Sequence, residues 1–154
     1  MSEHQDWFPI PETASRNTQC SAADYDRMYA QSISAPDAFW AEQAKRIDWF
    51  TPPTKIGNWS FDPVSIKWYE DGVLNLCHNA VDRHLKDRAD QAALIFVSTE
   101  TNQEHTYSFR DLHAEVQRMA AILKDLGVTK GDRVLIYMPM IAEAAFAMLA
   151  CARL

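Results

Sequence analysis

Cys77, His78 and His84 bring one sulfur and two imidazoles close together in the sequence, the donor types that suit zinc. Their spacing matches no structural zinc pattern and no fourth ligand is in sight, so packing or a polar loop contact is the expected role. Asp82-Arg83-His84 sets an acid, a cation and a base side by side. Consecutive helical residues point in different directions, so the trio cannot meet at one substrate atom as a catalytic triad does. A salt bridge or helix cap is expected instead. Lys130-Gly131-Asp132 lacks the several glycines and the Gly-Lys-Ser/Thr ending with which backbone amides wrap a phosphate. The whole chain holds 4 glycines, so a helix-to-strand turn is the expected use. Cys151 has no obvious His partner and lies in the most apolar stretch, where burial raises a thiol pKa and favours an inert role.

The elements that carry these residues are read from spacing. Ser108 and Asp111 open a helix in which Leu112, Val116, Met119, Ala120, Leu123 and Leu126 share one face, and Gly127 stops it. Arg133-Val134-Leu135-Ile136-Tyr137, ended by Pro139, reads as a strand buried on both faces. Ile141 to Leu154 has Glu143 and Arg153 as its only charges, and a helix without a polar face expects protein on all sides.

In the first half, residues 1–20 read as an irregular arm, with Trp7, Phe8 and Ile10 apolar enough to lie along a body. Ser21 with Asp24 opens a helix carrying Tyr25, Met28, Tyr29 and Ser32 on one face. Ser34 with Pro36 opens a second, carrying Phe39, Trp40, Ala44 and Ile47, and the pair predicts a helical hairpin. Residues 48–65 read as an ordered loop. Ile66–Tyr69 and Val73–Leu76 read as a β-hairpin about Asp71-Gly72. A short helix capped by Asn75 follows, with Ala80, Val81, His84 and Leu85 inward. Then come a strand over Ala92–Val97 and a second through His105, Thr106 and Tyr107.

The chain has 154 residues, 47% hydrophobic, with 5 tryptophans and 7 phenylalanines, a composition that argues against disorder. Its charge of -6 is spread out, with no basic block, which excludes nucleic acid as an expected partner. The 3 cysteines lie far apart and are odd in number, which argues against a disulfide framework and fits a reducing cytoplasm. Met1 to Asp6 is polar and acidic, unlike a secretion signal, and the last apolar run is too short and alanine-rich to predict a membrane span.

Several ordered blocks then carry a resemblance. These are Tyr25–Tyr29, Phe39–Gln43, Ile66–Gly72, Leu74–Leu76, Thr106–Leu112, Gly127–Val134, Tyr137–Met140 and Met148–Arg153. Together they resemble the amino-terminal region of AMP-forming acyl-CoA ligases, most of all the acetate-CoA and propionate-CoA ligases. Ile66–Gly72 tilts toward the acetate enzymes; Cys77–Arg83, Val97–Thr101 and Ala142-Glu143-Ala144 tilt toward the propionate enzymes. The resemblance implies an α/β fold, the incomplete amino-terminal part of the adenylate-forming ligase fold. It would hold a helical hairpin, β-hairpins and the first strand-helix unit of a larger sheet. The implied division is an arm over 1–20, an amino-terminal clasp over 21–88, and the start of the AMP-binding domain over 89–154.

Such ligases activate a carboxylate with ATP to an acyl-adenylate and pass the acyl group to CoA. That chemistry needs a glycine- and Ser/Thr-rich loop for the triphosphate, an acid for the ribose and a late lysine. None of these motifs has a counterpart in residues 1–154, so the expected catalytic, cofactor-binding and metal residues are none. The parent enzyme would use ATP, Mg and CoA, and the chain itself is expected to be an inactive scaffold.

The expected partner is the remainder of the ligase chain, or a second copy through residues 141–154. Leaving Ile141, Phe146, Met148 and Leu149 partly bare would forgo about 1.5 to 3 kcal/mol for each side chain. The alternative is a stand-alone module that docks through the same 141–154 face, for example on an intact ligase. Neither nucleic acid nor membrane is expected as a partner.

Overall fold

The structure, a computed structural model, describes residues 11–16 and 18–154. The chain divides into two compact units, Met1–Lys45 and Arg46–Leu154.

In the first unit, α1 (Glu12–Arg16) is a short helix within the stretch expected to be irregular. The expectation for residues 1–10 lies outside the described residues. A capping box starts α2 (Ala22–Ser34): the Ser21 hydroxyl accepts from the Asp24 N–H at 3.1 Å and the Asp24 carboxylate accepts from the Ser21 N–H at 3.2 Å. Ser34 stays inside α2, so Ala35 and not Ser34 forms the junction with α3 (Pro36–Ala44), whose first turn suits Pro36. Phe39 and Ala44 are buried, and the Phe39 and Trp40 rings meet edge-on at 5.0 Å.

The second unit opens with a hairpin that sequence reading placed one element too late. Its strands are β1 (Gly57–Phe61) and β2 (Val64–Trp68), antiparallel with Phe61 opposite Val64, so the expected loop over 48–65 contains a strand. Asp71 explains the difference. Its carboxylate accepts the N–H groups of Thr54 and Lys55 at 3.0 Å each and the Thr54 hydroxyl, so Asp71-Gly72 folds back on the segment before β1. Val73 makes only an isolated bridge to Thr51.

Downstream lie α4 (Leu76–Ala80), a 3-10 turn over Asp82–His84, and α5 (Leu85–Arg88). The antiparallel pair β3 (Ala92–Ser98) and β4 (Gln103–Ser108) follows. A second capping box between Ser108 and Asp111 launches α6 (Phe109–Asp125). Leu112, Val116 and Ala120 are buried as their spacing predicts. Leu126 is exposed, because α6 has already ended and Gly127, at φ 90°, turns the chain away.

α7 (Ala142–Arg153) closes one core in which Ala142, Phe146 and Ala150 meet Cys77, Val81, Leu112, Val116 and Ala120. Phe146, expected partly bare, is buried edge-on to Tyr107 at 5.2 Å, while Met148 is exposed. The bare apolar stretch lies just before α7. Arg133–Tyr137, expected to be a buried strand, pairs with no described strand, and Leu135 and Tyr137 are 90% and 97% exposed. A two-sided strand needs neighbours on both edges, and β3 and β4 bond only to each other. The fold is α/β, helices with small antiparallel sheets. Among the described residues no helix is long and apolar enough to cross a membrane.

Candidate functional site

Among the described residues, a set of chemically able side chains gathers where α4, the 3-10 turn, α6 and the end of α7 meet. Asn75 organises it from both ends. Its Oδ1 accepts the His78 N–H at 3.0 Å and so caps α4, while its Nδ2 donates to the Ala152 carbonyl at 2.9 Å, one of the last open carbonyls of α7. One amide therefore ties the start of one helix to the end of another.

Arg153 enters this junction as the basic residue of the last turn of α7. Its Nη2 donates to Asp82 Oδ1 at 2.5 Å and to Cys77 Sγ at 3.3 Å. Burial opposes the charged guanidinium, but the hydrogen bonds to Asp82 and Cys77 outweigh it and raise the Arg153 pKa. Burial likewise pushes the Cys77 thiol up, against the pull of Arg153, so the thiolate that metal binding or nucleophilic attack requires is disfavoured. Two histidines complete the rim: His113 Nε2 lies 3.6 Å from Asp82 Oδ1, and His78 Nε2 lies 3.6 Å from Asp48. The Nε–H of Arg153 is buried and meets no acceptor.

The sequence candidates separate in space. Asp82 turns to Arg153. Arg83 instead donates to the Asn79 side chain at 2.9 Å and the Arg46 carbonyl at 3.0 Å. His84 packs its ring 4.9 Å from that of Phe109, where burial first, and Arg88 and Arg83 second, lower its pKa. Cys77 and His78 join the junction and His84 does not. Among the described residues no group of His, Cys, Asp or Glu is set to hold a metal ion. At Lys130–Asp132 the chain forms a turn in which the Asp132 carboxylate accepts from the Thr129 N–H at 2.8 Å, and Gly131 takes φ 97°. Cys151 is half-buried.

Sequence reasoning missed His113 and the long reach of Arg153. Its one usable signal was Arg153 itself, the lone cation in an otherwise apolar segment. The arrangement clamps helices together.

The glycines form no phosphate cradle. A side chain at Gly57 would strike Trp59 at 2.4 Å, one at Gly72 would strike Trp49 at 2.6 Å, and Gly127 and Gly131 serve turns.

Comparison with known proteins gives the surroundings such a clamp serves. Residues 25–80 match the family described as acetyl-coenzyme A synthetase N-terminus, and residues 81–154 match the AMP-binding enzyme family. The chain is 55% identical over 149 residues to an acetyl-coenzyme A synthetase of Bradyrhizobium diazoefficiens, covering 96% of this chain and 23% of that protein. It is 57% identical over 134 residues to one of Methylobacterium radiotolerans, covering 86% and 21%. The solved acetoacetyl-CoA synthetase from Streptomyces lividans matches with a TM-score of 0.74 at 28% identity, over 91% of this chain and 22% of that one. The chain spans less than a quarter of the length of the curated relatives it matches.

Proposed function

Because this chain belongs to the amino-terminal part of the acetyl-coenzyme A synthetase family of AMP-binding enzymes, we propose that it is scaffold for an acetate-CoA ligase. The parent reaction joins acetate to CoA by way of an acyl-adenylate, with ATP, Mg and CoA supplied to parts of the ligase beyond these residues. The observation that carries this reading is the pair of family matches, which run in order without a gap from residue 25 to residue 154. The relatives' names favour acetate over propionate.

The chain's own contribution is positional. The Asn75, Asp82 and Arg153 clamp holds α7 on α4 and α6, directly after the bare Arg133–Tyr137 stretch. In that stretch Val134 and Ile136 are half-buried while Leu135 and Tyr137 face outward, the period of a strand awaiting neighbours. The rest of the ligase is the partner proposed to supply them. A second copy docking through residues 141–154 is less favoured, since α7 already buries Phe146 and Ala150 within this chain. The stand-alone docking module draws no support from the synthetases to which the chain is similar. Free cysteines suit a cytoplasmic setting.

Replacing the matched segment of the Bradyrhizobium relative with this chain tests the reading. Acetate-dependent exchange of pyrophosphate into ATP near the relative's own rate is expected, with propionate a poorer substrate. A folded chimera that exchanges with no short carboxylate overturns it.

A further inference from the structure

The β1–β2 hairpin divides its side chains cleanly. Trp59 stands opposite Ile66 and Phe61 opposite Val64, so these four share one face, while Asn58, Ser60, Ser65 and Lys67 take the other. The polar face has local partners: Lys67 pairs with Glu70 at 2.7 Å, and the Ser60 hydroxyl donates to the Asp62 carbonyl at 3.1 Å. On the apolar face Phe61, Val64 and Ile66 are 82%, 76% and 62% exposed. Scattered exposed hydrophobes need no explanation, but these adjoin one another on a two-stranded sheet, which is marginal in water without cover.

We propose that the Trp59, Phe61, Val64 and Ile66 face docks on an apolar surface of the remaining ligase polypeptide, beyond the segment matched here. This rests on the reading given under the proposed function. Two observations choose that occupant over a second copy. The four side chains offer on the order of a few hundred Å², short of the ~800 Å² that each partner in a standard interface commits. The curated relatives extend more than three quarters of their length beyond this match, and a surface tethered in the same polypeptide needs less area because the tether supplies a high effective concentration.

The test uses the full-length chimera with Phe61→Cys and Ser60→Cys made separately, labelled with a maleimide and read by peptide mass spectrometry. Ser60→Cys should label at least about tenfold faster than Phe61→Cys, the protection expected of a face packed in a protein core. Equal rates overturn the proposal. Protection that disappears on dilution also overturns it, by marking a second copy as the occupant. In a parallel pair, Ile66→Asp should lower the melting temperature and Ser65→Asp should not; equal effects count against the docking face. Labelling needs no turnover, so the outcomes separate. Protection in a chimera without exchange activity sinks the ligase reading alone, and equal labelling in an active chimera sinks the docking alone.

Discussion

The α4, α6 and α7 core and the β1–β2 hairpin are built from similarly apolar residues and end in opposite states. In the core Val81 and Val116 reach complete burial, whereas the hairpin's Phe61 and Val64 stand mostly in solvent. Hydrophobicity is alike in the two places; what differs is a second layer. The core has helix faces from three elements and the inner side of β3 and β4 to close it. The hairpin has a single layer, so the same side chains gain little burial within these residues. An apolar pattern therefore identifies a face that needs cover without saying whether the chain itself supplies it.

Substitutions break or sharpen this contrast. The largest effect is expected from Phe146→Ala, which empties a closed site and should cost about 3 to 5 kcal/mol in urea unfolding. A loss near zero would mean that α7 is not docked as described. Next comes Asp82→Ala, which strands the partly buried Arg153 guanidinium and should cost about 1 to 3 kcal/mol. The double variant with Arg153→Met should recover part of that loss, and strict additivity would show that the two do not interact.

Asp71 gives a pH signature at the foot of the hairpin. The Thr54 hydroxyl first, then the Lys55 and Thr54 amides, hold its carboxyl at about 2. Because the folded pKa lies below the unfolded one, its contribution is present above the ordinary Asp range and fades as pH falls through about 2. Thr54→Val should move its NMR titration back toward ordinary values. An unmoved midpoint would dissociate the hydroxyl from the shift. The smallest effect belongs to Phe61→Ser in the 154-residue chain. It should stay within about 0.5 kcal/mol, since a side chain already in water has little burial to lose. A cost near that of Phe146→Ala would erase the contrast between the two regions.

Local chemistry was the legible part. Both capping boxes, the Asn75 cap, the Gly127 stop and the buried face of α6 follow from residues within a few positions of one another. The hairpin was misplaced because a nearby Asp-Gly pair imitates a two-residue turn, and nothing local reveals that Asp71 is spent on Thr54 and Lys55. Asp82, Arg83 and His84 diverge as expected of consecutive residues, whereas Cys77 and His78 meet Asp82 at the junction. Their true partners, Arg153 and His113, lie far along the chain and answer to no spacing rule.

The sequence by itself determined the longer helices, the starts of α2, α4 and α6, the buried face of α6 and, through its ordered blocks, the family, while it read the α1 segment as irregular and opened α3 at Ser34. Those properties depend on backbone hydrogen bonds and side-chain periods that span a turn or two. Only the tertiary structure decided that Asn75 ties α4 to α7, that Phe146 is sealed, and that Leu135, Tyr137 and Phe61 are left in solvent. Each of those outcomes turns on whether a distant segment arrives at a given face, and that depends on the packing of the whole chain.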